Sequence, residues 1–147
     1  MKKLIILSLA LLALLSCSKS SEHEPTYIQL SEPLAAYFCD LSGRGQRILG
    51  ENYKTELDTL YNNKEYLLNL WPYSKYEANG KEYDGYVSSV SYYIDNLKVA
   101  ESSIFPFTVK YRLNLNPGAH VISCKPSIKN EYVIWEVSEE QKITVLQ

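Results

Sequence analysis

Histidine and cysteine are scarce in this chain, at two and three of 147 residues, and that scarcity removes whole classes of chemistry. A zinc site needs three or four His, Cys or carboxylate ligands in register. Here His23 lies in a polar stretch and His120 stands alone in the remainder of the chain. A nucleophile–base pair would need a second ordered imidazole or a Ser–Lys pair, and no serine sits in a Gly-x-Ser-x-Gly elbow. Glycine is also sparse: Gly43-x-Gly45 is not followed by Gly-Lys-Ser/Thr, so it is no phosphate cradle. Asp84-Gly85 lacks the flanking acidic positions of a calcium loop. Glu82 and Asp84 read as a charged loop rather than as a glycosidase pair. Accordingly no catalytic residue, metal or cofactor is expected, and the chain is read as a non-enzyme whose His120 packs with a backbone hydrogen bond.

No apolar run is long enough to cross a bilayer, which takes roughly 20 residues. The longest, Leu4 to Leu15, follows Met1-Lys2-Lys3 and contains one polar residue, Ser8. A basic start and a short apolar stretch are the parts of an export signal. The stretch ends in Leu14-Leu15-Ser16-Cys17, which resembles the lipobox of bacterial lipoprotein precursors. The resemblance implies a signal peptide over residues 1–16, cleavage before Cys17, and lipidation of Cys17 on its thiol and its new amino terminus, palmitate included. Three acyl chains exceed the two signals needed for stable anchoring. Ser18 in place of Asp implies an outer-membrane lipoprotein of the cell envelope, periplasmic or surface-facing. Residues 17–25 are polar beyond the lipidated cysteine and read as a tether.

Positive charge is not in excess. Lys2 and Lys3 belong to the signal, leaving 13 basic against 17 acidic residues, a net charge of −4. That is no footprint for nucleic acid or for an anionic surface. Membrane contact is expected through the lipid alone.

What the chain does have is tyrosine, 13 of them and all after the signal, with little alanine there; this favours strands over a helical bundle. From Phe107 to Leu115 every odd position is apolar and every even one polar, the period of a strand with one buried face. Tyr86, Val90, Tyr92 and Ile94 share a face, with Val87, Ser89, Ser91 and Tyr93 opposite. Asp95-Asn96 turns this strand into Leu97-Lys98-Val99-Ala100, and Asn116-Pro117-Gly118 is a second turn. Val133, Trp135 and Val137 line a further strand, and Ile143 and Val145 a last one. In the first half, Glu65–Trp71 is a strand with Tyr66, Leu68 and Leu70 on one side. Leu34–Leu41 is another, and Thr26–Leu30 an edge strand. Ser42-Gly43-Arg44-Gly45 reads as a turn returning through Arg47-Ile48-Leu49. Glu51–Tyr61 is either a short helix or an irregular connection.

Short strands with regular turns describe an antiparallel sandwich or barrel. The sequence Tyr92-Tyr93-Ile94-Asp95-Asn96, then Pro106-Phe107, then Pro117-Gly118-Ala119-His120-Val121-Ile122 resembles bacterial immunoglobulin-like surface modules. It implies an all-β, antiparallel immunoglobulin-like sandwich over residues 26–147 with extra N-terminal strands; a small β-barrel is the alternative. The expected core includes Ile94, Val109, Tyr111, Leu113, Ile122 and Trp135. Cys39 shares its parity with Tyr37 and Leu41, and Cys124 with Ile122. In an oxidising compartment this predicts a Cys39–Cys124 disulfide, against the alternative of two separately buried thiols.

The segment Trp71 to Tyr86 is dense in tyrosine with small and polar residues between, the composition binding loops favour. Trp71, Tyr73, Tyr76, Tyr83 and Asp84 are the expected ligand-binding residues, possible neighbours of Lys125–Glu131; the alternative is a twisted hairpin packing its own tyrosines. The function expected is a lipid-anchored, non-catalytic binding module for a glycan or protein partner. A lipoprotein protease inhibitor or immunity factor is the second candidate.

Overall fold

The computed structural model describes residues 24–29, 33–42, 57–71, 75–78, 81–134 and 138–147. Twelve strands run through these residues: β1 (Thr26–Ile28), β2 (Ala35–Cys39), β3 (Thr59–Tyr61), β4 (Glu65–Trp71), β5 (Lys75–Ala78), β6 (Lys81–Asp84), β7 (Val87–Ile94), β8 (Leu97–Ser102), β9 (Val109–Arg112), β10 (Gly118–Ile128), β11 (Tyr132–Ile134) and β12 (Gln141–Leu146). One sheet has the order β3-β12-β10-β7-β8 and another the order β2-β4-β9. They face each other across one core. Ala36, Phe38, Tyr66, Leu68 and Leu70 from the smaller sheet meet Leu60, Val90, Tyr92, Ile94, Ile122, Cys124, Ile143 and Val145 from the larger. The strands β2, β4, β7, β8, β9, β10 and β12 thus make the two-sheet frame of an immunoglobulin-like sandwich. The sheets are separate and close no barrel. Added to the frame are the parallel pair β1-β11, the parallel edge strand β3 and the ribbon β5-β6.

The alternation from Phe107 sets its register as expected. Val109 and Tyr111 pack against the core and Leu113 is fully buried, while Lys110 and Arg112 face water. The strand itself is shorter than the pattern, Val109–Arg112, and begins beyond Phe107, whose φ of 64° is not that of a strand. Tyr92 donates its hydroxyl hydrogen to the Phe107 carbonyl at 2.8 Å, satisfying both groups in the core. Asp95 and Asn96 both have positive φ, 48° and 66°, the type I′ geometry that matches the twist of a two-residue hairpin.

Three register expectations shift, each for a local reason. Val87, placed opposite Tyr86, is buried beside it, because the β7–β10 register skips Ser88 at a bulge and turns the strand over. Tyr132 and Ile134 pack inward and Val133 is exposed; β11 pairs in parallel with β1, which sets Ile28 beside Ile134 and Tyr27 beside Val133. Thr59–Tyr61 is a strand pairing β12 rather than part of a helix, since Leu60 fills the core at the sheet edge. Trp135, Val137, the Gly43–Leu49 return and residues 51–56 lie outside the described residues, as do residues 1–23 with Cys17.

The Cys39–Cys124 disulfide is not formed: both cysteines are free and buried. Ala36 and Phe38 are the core-facing residues of β2, so Cys39 lies with Tyr37 on the other side, in a separate cluster with Trp71. Cys124 lies in the inter-sheet core. Every residue of β2 is buried, so parity carried no inside–outside contrast there. Burial pushes the Cys124 thiol up to about 12. Burial also raises Cys39, against the hydrogen bond that Asn69 donates to its sulfur at 3.1 Å. Thiols held protonated and covered are unreactive. Thiol titration of the native protein should therefore find neither group, denaturation should release both, and reductant should leave the melting temperature unchanged. A reductant-sensitive melting temperature would restore the disulfide.

Candidate functional site

The strand directions sort the connections between two ends of the sandwich. At one end lie three polar turns, Asn62-Asn63 before β4, Asp95-Asn96 between β7 and β8, and Asn116-Pro117 before β10. His120 ties two of them together. Its Nδ1 stands 2.6 Å from Asp95 Oδ2 and its Nε2 2.8 Å from the Asn116 carbonyl. Asp95 Oδ1 accepts the Val121 N–H at 2.9 Å. Both imidazole nitrogens face acceptors, so only the doubly protonated ring donates to both. The Asp95 hydrogen bond, then that to Asn116, raises His120 above its ordinary 6.5. The same contact with His120, then the Val121 N–H, lowers Asp95 below 3.8. His120 is therefore a structural clasp and not a free base.

The other end gathers the insertions. β4 ends at Trp71, and the segment to β7 folds as an antiparallel ribbon pairing Lys75 with Asp84, Tyr76 with Tyr83, Glu77 with Glu82 and Ala78 with Lys81. Asn79-Gly80 lies between the last pair. That dipeptide between tyrosine-bearing segments is the strongest short hairpin signal, and it distinguishes a ribbon from an irregular loop. The ribbon returns into Tyr86, whose carbonyl accepts the Lys129 N–H at 2.9 Å. Ile128 pairs with Val87 in the same place. The Lys125–Glu131 segment is thus adjacent to the base of the ribbon. Glu131 in turn accepts the Thr26 N–H at 2.7 Å, bringing the start of β1 to this end. The β8–β9 connection completes it: Ser102 pairs with Val90, which pairs with Pro126. The residues that follow Ser102, Ile104 and Phe105, are 79% and 54% exposed.

Of the expected ligand-binding residues, Tyr76 and Tyr83 stand opposite one another in the ribbon ladder, and Asp84 stands opposite Lys75. Trp71 does not belong with them. It is buried with Tyr37, Cys39 and Leu67, because β4 is covered on the face turned away from the core as well. Tyr86 is likewise interior, and burial pushes its phenol up to about 12. Tyr73 lies outside the described residues. Sequence reasoning missed Ile104 and Phe105; the consecutive apolar pair ahead of Pro106 was the available signal.

The smaller sheet carries one buried polar side chain, Asn69. Its amide donates to Cys39 Sγ and to the Leu67 carbonyl, and its oxygen accepts the Thr108 hydroxyl at 2.6 Å. All its contacts are internal, and it offers nothing to a ligand. Among the described residues no group of three His, Cys, Asp or Glu is placed to hold a metal ion.

No known protein family matches this chain, and no curated protein matches it. Among solved structures it is similar to the fibronectin(III)-like modules of Clostridium thermocellum CbhA, at 16% identity and a TM-score of 0.41. The match covers 60% of this chain and 88% of that one. The fold assignment rests on the strand order and register above and not on this likeness.

The clasp predicts a pH dependence. A raised folded value for His120 means its stabilisation is complete below its unfolded value near 6.5 and is lost as pH rises through the folded one. A lowered folded value for Asp95 means its share is present above 3.8 and is lost as pH falls through the folded value. Denaturant stability should decline from pH 6 towards pH 8.5 in the native protein. Asp95→Asn should flatten that slope while keeping an acceptor for the Val121 N–H. An unchanged slope in the variant would assign the dependence to another group.

Proposed function

We propose that this protein is a lipid-anchored, non-catalytic module of the bacterial cell envelope that binds a glycan or protein partner through the β5–β6 end. The observation that carries this is the convergence of one tyrosine-bearing ribbon and two other connections at one end of the sandwich, joined by the Lys129–Tyr86 hydrogen bond. Binding residues are commonly carried on connections positioned by a rigid scaffold. Tyrosine supplies large contact area at low entropy cost. Sugar rings stack on such aromatics, and Tyr76 and Tyr83 are directly paired in the ribbon. The Leu14-Leu15-Ser16-Cys17 lipobox and the apolar run before it support the anchor, with Cys17 as the mature, lipidated amino terminus in the outer membrane. The ribbon, a separate two-stranded sheet, also suits a protease inhibitor or immunity factor that projects one rigid element.

Two experiments test the proposal. Cys17→Ala should leave an unprocessed precursor that no longer partitions into detergent; unaltered partitioning would remove the anchor. For binding, Tyr76→Ala and Tyr83→Ala should each weaken retention on xylan, mannan or β-glucan, or capture of an envelope protein. The expected loss is about tenfold, the ~1.4 kcal/mol scale of one well-placed aromatic contact, with little change in melting temperature. Substitutions that unfold the domain would make the tyrosines structural. Inhibition of a protease by the wild type, lost in both variants, would favour the second candidate.

A further inference from the structure

The two ends of the sandwich differ in more than their connections. The chain enters the fold at the ribbon end, where the Thr26 N–H meets the Glu131 carbonyl. Six residues lie between Cys17 and Glu24, and the seven Cα-to-Cα steps reach at most about 25 Å in any conformation. The frame is longer than that: the 11 residues of β10 span about 36 Å at strand rise. A lipid on Cys17 therefore keeps the ribbon end within about 25 Å of the anchor, so the molecule cannot stand on the end with the three asparagine-bearing turns.

Exposed apolar side chains occur at both ends, and what distinguishes the ribbon end is an adjacent pair of them on one turn. At the ribbon end Ile104 and Phe105 are consecutive, exposed, and followed by Pro106, with Tyr27 of β1 61% exposed near the entry point. At the far end Leu97 is the most exposed apolar residue, and its neighbours Asp95, Asn96 and Lys98 are polar and exposed. Leu41, Tyr61 and Leu146, also at that end, are exposed too, but none stands beside another apolar residue on a turn tip. Single exposed apolar side chains are ordinary on a protein surface; an adjacent aliphatic–aromatic pair on a turn tip suits a membrane interface.

Part of the turn's backbone is already hydrogen-bonded within the protein. The Ile104 carbonyl accepts the Phe107 N–H at 2.7 Å and the Ser102 hydroxyl at 3.2 Å. The Ile104 N–H reaches Ser102 Oγ at 3.4 Å, and Pro106 has no N–H. Backbone groups already satisfied within the protein add little penalty when the surroundings become less polar. Phe107, buried and bonded through its carbonyl to Tyr92, fixes the turn to the core.

We infer that the ribbon end faces the membrane that holds the Cys17 lipid and that the Ile104-Phe105-Pro106 turn rests in its headgroup layer. This rests on the lipid-anchor proposal above. It also directs the ribbon's partner to the membrane surface. The test uses the full lipidated chain reconstituted into vesicles of phosphatidylethanolamine and phosphatidylglycerol. An environment-sensitive dye on Ser103→Cys leaves the apolar pair intact, and the two native thiols are buried. Its emission should shift to the blue and be quenched by headgroup-nitroxide lipids, while the same dye on Asn116→Cys at the far end should do neither. Adding Ile104→Ser with Phe105→Ser should abolish the shift at position 103 without changing the melting temperature. A water-like, unquenched dye at 103 on a chain whose mass shows the acyl groups would overturn the inference and leave the anchor standing. A blue shift that survives the double substitution would overturn the role given to the turn. A chain whose mass lacks acyl groups would instead remove the anchor and, with it, the basis of the inference.

Discussion

The antiparallel pairing of β7 with β10 is the constraint on which the rest of the structure depends. It is the central ladder of the larger sheet and buries Val90, Tyr92 and Ile94 beside Ile122 and Cys124 against the smaller sheet. Each such side chain fully buried is worth about 1.5–3 kcal/mol, and a slip of one residue would expose the whole set. The same register determines both ends of the molecule. In one direction it brings Asp95 to Val121 and His120, and in the other it carries Ile128 to Val87 and Lys129 to Tyr86.

The additions to the frame obey that ladder. β1 and β11 pair beside the turn that ends β10, and the β5–β6 ribbon fills the connection into β7. Connections at a sandwich end can lengthen without disturbing the core, since the loop-closure cost grows only slowly with length. Among the described residues, the other end carries short polar turns fastened by His120 and by asparagines. Asn62 illustrates this: its side-chain amide bonds both polar groups of the Leu115 backbone, as a neighbouring strand would. The described connections therefore differ between the two ends, short turns at one and the ribbon with its neighbours at the other.

The smaller sheet is covered on both faces along Ala35–Cys39 and Leu68–Trp71, while β9 turns Lys110 and Arg112 to water. Its central strand β4 buries Tyr66, Leu68 and Leu70 inward and Asn69 and Trp71 on the other side. That second burial explains why Cys39 and Cys124 are remote in environment, and why Trp71 is a packing residue at the foot of the ribbon. It also accounts for Asn69, whose polar atoms are satisfied by Cys39, Leu67 and Thr108 instead of water.

The sequence by itself determined the elements whose two faces differ in polarity. The alternation around Val109–Leu113, the span of Glu65–Trp71, the last strand and the Asp95-Asn96 hairpin were all legible, because one buried face beside one wet face leaves a period of two and because a type I′ turn requires residues that tolerate positive φ. The resemblance of Leu14-Leu15-Ser16-Cys17 to a lipobox is a matter of local sequence and does not depend on the fold. The ribbon was half legible: its tyrosines marked the segment, and the Asn79-Gly80 dipeptide was the hairpin signal in the sequence. What only the tertiary structure decided concerns residues without such contrast. β2 is buried throughout, so parity said nothing of which side Cys39 occupies. A bulge at Ser88 reversed the face of Val87, and pairing with β1 chose the inward face of β11; both are set by a partner strand distant in sequence. The gathering of the ribbon, the Lys129 turn, the Ile104 turn and the chain's entry at one end follows from strand direction, a property of the packed sheets that no local pattern encodes.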